Sequence, residues 1–479
     1  MGDKMRFSII LIVSLLLLSE SLVWADDFQD GIEAFRKNDF AAAAKYFQAA
    51  AEAKKDDWQL YSWLGAARLK AGQAESAETA LRQALQLNSK SAEVQNNLGT
   101  ALLAQDKKTE AEAAYKAAVE LNPKFAEAHY NLGNLYFGQA RFDAAVEHYQ
   151  AALKIQPNNA ALYNNLGLAR QKIGKSGEAV AALQQAVKLA PRQSDYRYNL
   201  AAALREAGKL ALAEETLGPV LQSDPGNFSA LLLMGTLLYQ QGNFSGAAQR
   251  FSRAAQIQPD NFSAHYNLAQ AQLRLGQAKE AETSLQRAVE IKPDLNALLQ
   301  LASLYLSENR LEAAESTLLK AALAAPDSFE AKVNLAVILT KAKKFPEAEA
   351  TWAALCRQFP DNPRAKEGLA DLYFTHNRPD AARDQYLELL KLQPRNALAH
   401  HNLGLIYLQG GNLLEAQQQF QQAIAADANF ASAYNNLGVA YEKLGNEAQA
   451  KVAYQKALSL QPNFIEARNN LARVQGATP

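Results

Sequence analysis

The sequence predicts an all-α fold, a superhelical solenoid of about thirteen helix–turn–helix repeats closed by a capping helix. Three observations carry this. From Asp26 onward the chain repeats itself every 34 residues, with one spacing of 33. Apolar residues make up 49% of the chain, with the excess in alanine and leucine, the better helix formers. The 15 prolines and 24 glycines fall at regular intervals, as turns between short helices would require.

The first segment is read as separate from the fold. Residues 1–25 have the form of a signal peptide: Lys4 and Arg6, then an unbroken apolar run from Phe7 to Leu18, then small Val23 and Ala25 flanking Trp24. The run is shorter than the ~20 residues of a membrane span, and Glu20 blocks its extension. The prediction is a periplasmic or secreted protein without stable membrane insertion after cleavage, the alternative being an anchor formed by the uncleaved segment. Residues 26–464 then form the tandem repeats, and residues 465–479 a capping helix and tail.

Repeats are expected to start near residues 25, 58, 92, 126, 160, 194, 228, 262, 295, 329, 363, 397 and 431. In the repeat from Ala126, the residues His129, Leu132, Gly133 and Tyr136 share one face of a first helix. Gly133 lets a second helix approach closely. Ala145, Tyr149 and Ala152 form the matching face of that second helix. Pro157 ends it, and Asn158-Asn159 makes the turn. Gly174, Gly208, Gly276, Gly411 and Gly445 fall between helices, where a left-handed cap is wanted. Pro346 and Pro379 sit at the start of second helices.

The recurring order is Leu then Gly or Ala, a later Ala, an aromatic or Leu four on, another Ala and a closing Pro. In it, residues 25 to about 475 resemble the tetratricopeptide repeat (TPR). The resemblance implies a right-handed superhelix of more than one turn, with first helices lining a concave inner wall. A single repeat cannot bury its apolar face, so stability follows from stacking. Ladder leucines such as Leu132 and Leu166 contribute roughly 1.5–3 kcal/mol each by burial. From Ile465, the residues Arg468, Asn469, Asn470, Arg473 and Gln475 face outward, so the solenoid is expected to be finished there with no catalytic domain following. Gly218-Pro219 inside a second helix is expected to end or kink it. Ala428 replaces a closing proline.

Composition and motifs exclude several function classes. Lys+Arg and Asp+Glu are both 49, without the basic excess of nucleic-acid binders. The single cysteine, Cys356, excludes an intramolecular disulfide and cysteine-based metal sites, and reads as a small apolar side chain. No phosphate-binding, dinucleotide, zinc-protease, CxxC or nucleophile-elbow motif occurs. His129, His265 and His400 share one repeat position on the packed face. His148 and His376 read as isolated, and the rings of His400 and His401 diverge by ~100°. Carboxylates such as Glu214 and Glu215 read as solvated surface. No catalytic residue, cofactor or metal site is predicted. Asn227, Asn243 and Asn261 each begin an Asn-Phe-Ser sequon in a turn; they read as turn formers, with glycosylation as the alternative in a eukaryotic host.

The unpacked stripe of the first helices is the candidate binding face. The residue before Leu-Gly or Leu-Ala is asparagine in most repeats: Asn97, Asn131, Asn165, Asn199, Asn267, Asn334, Asn402, Asn436 and Asn470. Leu233, Gln300 and Gly368 break the series. Stacking places these amides in a row, and an amide both donates and accepts, so a row of them suits an extended peptide backbone. The row is similar to the asparagine ladder in the repeat domain of O-linked N-acetylglucosamine transferases, without a transferase domain. The bland alternative is that each amide bridges neighbouring helices. Where the row lapses, Leu232, Tyr239, Tyr266, Leu273, Leu299 and Leu306 offer an apolar patch, with Thr236, Gln270 and Ser303 between them. These side chains serve either as a partner's anchor or as cover for helix seams.

The function predicted is a non-enzymatic scaffold that holds a protein or peptide in the groove, in envelope assembly or export. The rivals are a structural spacer or oligomerisation array, and an accessory subunit of a polysaccharide or glycosyl-transfer system.

Overall fold

The computed structural model describes residues 24–476. Among them it contains twenty-seven helices and no strand. The first helix covers residues 24–36. Later first helices begin at Trp58, Ala92, Ala126, Ala160, Ser194, Phe228, Phe262, Leu295, Phe329, Pro363, Ala397 and Ala431, at the expected starts. The capping helix runs Ile465–Val474. The leader lies outside the described residues except for Trp24 and Ala25, which open the first helix. The boundary drawn after Ala25 therefore falls inside that helix. The indole of Trp24 packs on Ala50, Ala51 and Leu60, with Lys54 Nζ 4.4 Å from its centre.

Local chemistry sets the helix ends. First helices are thirteen residues long and second helices fourteen, as in Ala126–Gly138 and Phe142–Ile155. Many first helices are capped by a side chain: Asp57, Ser91, Asn159, Asn227, Asn261, Asp294, Ser328, Asn362 and Asn396 each accept a backbone N–H of the first turn. All three sequon asparagines are helix caps, Asn243 accepting Gly246 N–H at 2.9 Å in the first turn of Phe244–Ile257. Between the two helices of each repeat one residue takes a positive φ. It is glycine at 72, 174, 208, 242, 276, 411 and 445, but Asn38, Asp106, Ala140, Asn309, Lys343 and Asn377 elsewhere.

Inside each hairpin one contact sets the helix spacing. A β-carbon on Gly133 would lie 2.7 Å from Tyr149 Cε1, and one on Gly235 would lie 2.6 Å from Phe251 Cε1. Of the repeats with alanine at the glycine position, three pair it with leucine, Ala201 with Leu217, Ala269 with Leu285 and Ala302 with Leu318, while Ala336 shares its register with Trp352 and Ala370 with Tyr386, all buried. In the three leucine repeats the smaller partner makes room for the added methyl group.

The hairpins group into two compact units, up to Ile257 and from Gln258 onward, each considered by itself. In each unit the first helices of neighbouring repeats approach one another. In the first, Trp58–Lys70 meets Ala92–Ala104, which meets Ala126–Gly138; in the second, Phe329–Lys341 meets Pro363–Thr375. Second helices do not meet to this extent, so the first helices form the crowded inner side of each stack.

Pro219 neither ends nor shortens its helix, which runs Leu210–Ser223. Pro219 lies on the exposed side, as does Glu215 four residues earlier, whose carbonyl loses its helical donor. Water can satisfy that carbonyl, which removes much of proline's usual cost.

The acidic surface is also more ordered than its composition implied. Glu78 pairs with Lys107 at 2.8 Å, Glu112 with Arg141 at 2.9 Å, Glu282 with Arg310 at 2.7 Å, Glu315 with Lys344 at 2.7 Å and Glu349 with Arg378 at 2.7 Å. Each pair ties a second helix to the residue preceding the next second helix. Arg141, Arg310 and Arg378 also lie over the rings of Tyr136, Tyr305 and Tyr373. Hydrogen bonds from Lys107, and then from Arg82 and Gln105, outweigh burial and hold the Glu78 carboxyl down at about 2.

Candidate functional site

All the predicted ladder asparagines are half-buried on the first helices, and they fall into two kinds. Most have a donor committed to the neighbouring repeat. In the first unit, Asn131 Nδ2 donates to Asn96 Oδ1 at 2.9 Å, Asn165 to Asn134 Oδ1 at 3.1 Å and Asn199 to Asn164 Oδ1 at 2.8 Å. In the second unit, Asn402 Nδ2 donates to the Tyr386 hydroxyl oxygen at 3.0 Å, Asn436 to His401 Nε2 at 2.9 Å and Asn470 to Asn435 Oδ1 at 3.0 Å. Asn96, Asn164, His401 and Asn435 are buried, so these bonds satisfy polar groups that water does not reach. The bridging role is therefore real for these amides. It also fixes their orientation and leaves the carbonyl oxygen as the group to offer, although Asn165 and Asn436 each already accept one bond, from Asn164 and Asn435 Nδ2 at 3.2 Å.

The second kind is uncommitted. Among the described residues, the side chains of Asn97, Asn267 and Asn334 make no hydrogen bond. Asn97 lines a shallow cavity of about 140 Å³ with Trp58, Trp63 and Glu93.

One lapse in the row has a packing cause. At Gly368 a β-carbon would stand 2.4–2.6 Å from the indole of Trp352. Trp352 occupies the position held elsewhere by Tyr, Phe or Leu, and its larger ring fills the space from which an asparagine side chain would start.

The apolar residues of the candidate patch divide between the two units. In the first, Tyr239 meets Phe244 edge-on at 5.2 Å, and Thr236 returns its hydroxyl to Leu232 O at 2.8 Å. In the second, Tyr266 stacks on Phe262 at 5.4 Å, and Tyr266, Leu299 and Leu306 pack as half-buried cover on the core around Leu301 and Tyr305. Gln270 and Gln300 bond to each other through their amides. Leu273 is half-buried. For Tyr266, Leu299 and Leu306 the contacts are those of seam covers.

The histidines correct one expectation. His148 is not isolated: its Nδ1 lies 3.0 Å from Nδ1 of His129, across the hairpin. His129 Nε2 faces the Pro123 carbonyl at 3.1 Å, so that nitrogen carries the proton and Nδ1 accepts from His148. His265 and His400 meet the Pro259 and Pro394 carbonyls in the same way at 3.1 Å. Arg197 and Arg468 reach Pro191 and Pro462 from the same repeat position. This bond to the carbonyl of the closing proline escaped the sequence reading, although the shared position of the histidines was its signal. His400 turns to Pro394 and Gln419, and His401 to Asn436, so their rings diverge. Burial first, then the nearby His129, pushes the His148 imidazole below its ordinary value, and burial does the same to His401. The Cys356 thiol is half-buried beside the Trp352 core and is pushed up by burial. Among the described residues no group of three or more His, Cys, Asp or Glu is placed to hold a metal ion. No helix there is long and apolar enough to cross a membrane.

Stacked helix hairpins with a polar, half-exposed inner row define an α-helical repeat protein. The chain belongs to the tetratricopeptide repeat family: one family model, described as tetratricopeptide repeat, matches residues 28–92, 96–160, 299–363 and 367–416, just over half of the chain. Further repeat models match residues 238–300, 404–445 and 431–464. The TPR domain model of cytochrome c-type biogenesis protein H matches residues 150–265. No curated protein matches the chain. Among solved structures it is similar to YrrB, described as a TPR protein with an unusual peptide-binding site, at 27% identity over 39% of this chain and 96% of that one, with a TM-score of 0.37. It is also similar to PilF of Pseudomonas aeruginosa, at 21% identity over 44% and 97%, with a TM-score of 0.40. The Cut9–Hcn1 assembly of the APC/C matches at 16% identity over 93% and 95%, with a TM-score of 0.35. Tetratricopeptide repeat proteins bind peptide or protein partners, and this chain is a protein–protein interaction scaffold.

Proposed function

We propose that the inner face of the first helices holds an extended segment of a partner protein, and that the protein does this outside the cytoplasm as part of an envelope assembly or export process. The observation that carries the proposal is the division of labour in the asparagine row. Asn131 and Asn199 are locked by their own Nδ2 bonds, so their oxygens are pre-oriented acceptors for backbone N–H groups, while the Asn165 oxygen already accepts from Asn164 Nδ2 at 3.2 Å. Asn97, Asn267 and Asn334 keep donor and acceptor free. The leader pattern of residues 1–25 supports export, and the match of residues 150–265 to the repeat domain of a cytochrome c-type biogenesis protein supports an assembly role.

The test uses the uncommitted amides, because changing them removes no bond from the fold. Asn97→Ala, Asn267→Ala and Asn334→Ala together are expected to weaken partner binding at least tenfold with unchanged helicity and melting. Undiminished binding would refute the proposal. Export is tested by fractionation: a mature chain beginning near Asp26 in the periplasm or medium supports it, and a cytoplasmic full-length chain opposes it.

A further inference from the structure

At Gly368, where the ladder lacks its amide, the inner face opens into a cavity of about 420 Å³. That is within the roughly 300–1,000 Å³ of sites that take small ligands, and so has room for a long side chain. The indole of Trp352 forms one wall, uncovered because residue 368 has no side chain. Glu367 and Asp371, one helical turn apart on Pro363–Thr375, both line the cavity and are both half-buried. Asp371 Oδ1 accepts the Tyr386 hydroxyl at 2.5 Å, and that hydroxyl is itself held by Asn402. Asp371 is thereby fixed with its other oxygen open. Among the described residues Glu367 makes no hydrogen bond or ion pair.

The cations nearby do not answer these carboxylates. Arg364 is engaged with Glu330 at 3.2 Å, and Lys341 is exposed at the rim. Burial raises both acids, with Asp371 adding to the rise at Glu367 and Arg364 only partly opposing it. The fold thus holds two carboxylates in a half-desolvated site, beside an aromatic face, with Arg364 and Lys341 on its lining but neither paired to them.

We propose that this cavity receives a lysine or arginine side chain of the bound segment, its aliphatic stem against Trp352 and its charged head between Glu367 and Asp371. The stem buries apolar surface while the head gains two opposite charges and an aromatic face. This rests on the groove reading above and adds to it a choice of side chain at one register position. Elsewhere the amides read backbone; here a cation is selected.

The test uses four end-labelled peptides of one Ala/Ser host sequence with Lys, Arg, norleucine or Glu at the centre. Fluorescence polarisation with the purified protein at low salt is compared with that of the isosteric variant Glu367→Gln/Asp371→Asn. The Lys and Arg peptides are expected to bind at least tenfold more tightly than norleucine, and Glu most weakly. The variant should abolish the preference for a cation without changing the melting temperature, and in the wild type the preference should shrink as pH falls toward 5. A norleucine peptide bound as tightly as Lys, an unchanged preference in the variant, or no binding of any peptide up to millimolar protein would overturn the proposal. The groove reading fails separately. If Asn97→Ala/Asn334→Ala leaves all four affinities unchanged while the Lys preference persists, the cavity stands and the amide row does not.

Discussion

Asn131 donates an amide proton to Asn96 Oδ1 at 2.9 Å, joining two first helices across a repeat boundary, and Asn96 is only 1% exposed. Asn131→Ala removes that bond and strands a buried acceptor, so a loss of about 1–3 kcal/mol is expected. Asn97→Ala, at the same repeat position with no bond to lose, should stay within roughly 0.5 kcal/mol. Urea unfolding of the two variants checks the contrast; equal losses would mean the bridging bond contributes nothing.

A second prediction concerns the hairpin contact. Gly235→Ala should destabilise by about 1–3 kcal/mol, although alanine is the better helix former, because the methyl group meets the Phe251 ring. In the Gly235→Ala/Phe251→Leu double variant the two changes should couple favourably, since three repeats already combine alanine with leucine there. Strict additivity in thermal melts would contradict the packing account.

Ala140 sits at φ 58° where seven repeats use glycine. The left-handed conformation costs an alanine roughly 1–2 kcal/mol, and glycine's extra unfolded-state entropy returns part of that. Ala140→Gly should therefore stabilise by about 0.5–1 kcal/mol, with no packing penalty because residue 140 is exposed. A drop in melting temperature would refute this.

Acid should weaken the fold through His148. Its folded value lies below the unfolded one of about 6.5. The unfolded chain therefore binds more protons in the window beneath pH 6.5. The contribution is fully present above that pH and is lost as pH falls through the window toward the folded value. His401 acts in the same direction. Melting temperatures at pH 7.5 and 5.5 should differ less in His148→Gln than in the wild type; an equal difference would show that His148 does not titrate with folding.

The helix starts were legible because each repeat announces itself locally, by a cap such as Ser91 or Asn261 and by a residue of positive φ such as Gly174. Contacts between repeats were harder to see. The Glu112–Arg141 and Glu349–Arg378 pairs join residues 29 apart, a spacing that acquires meaning only when second helices are laid side by side. His129 and His148, like His400 and Gln419, are 19 apart and meet only through the hairpin register. The asparagine row could be read as a row, but not which of its donors were already spent. That depended on Asn96, Asn134 and Asn164, which fall outside the row. The cavity at Gly368 was visible only as a break in a series, because its cause is the size of Trp352, sixteen residues earlier.

The measurement that bears most directly on the scaffold account is comparative affinity capture from a lysate of the native cells. The wild type is set against Asn97→Ala/Asn267→Ala/Asn334→Ala on the first helices and against Leu414→Ala/Val452→Ala on the exposed side of the second helices. The account predicts one partner retained by the wild type and the second-helix variant and lost from the first-helix variant. Loss from the second-helix variant, with full retention by the first-helix variant, would contradict it.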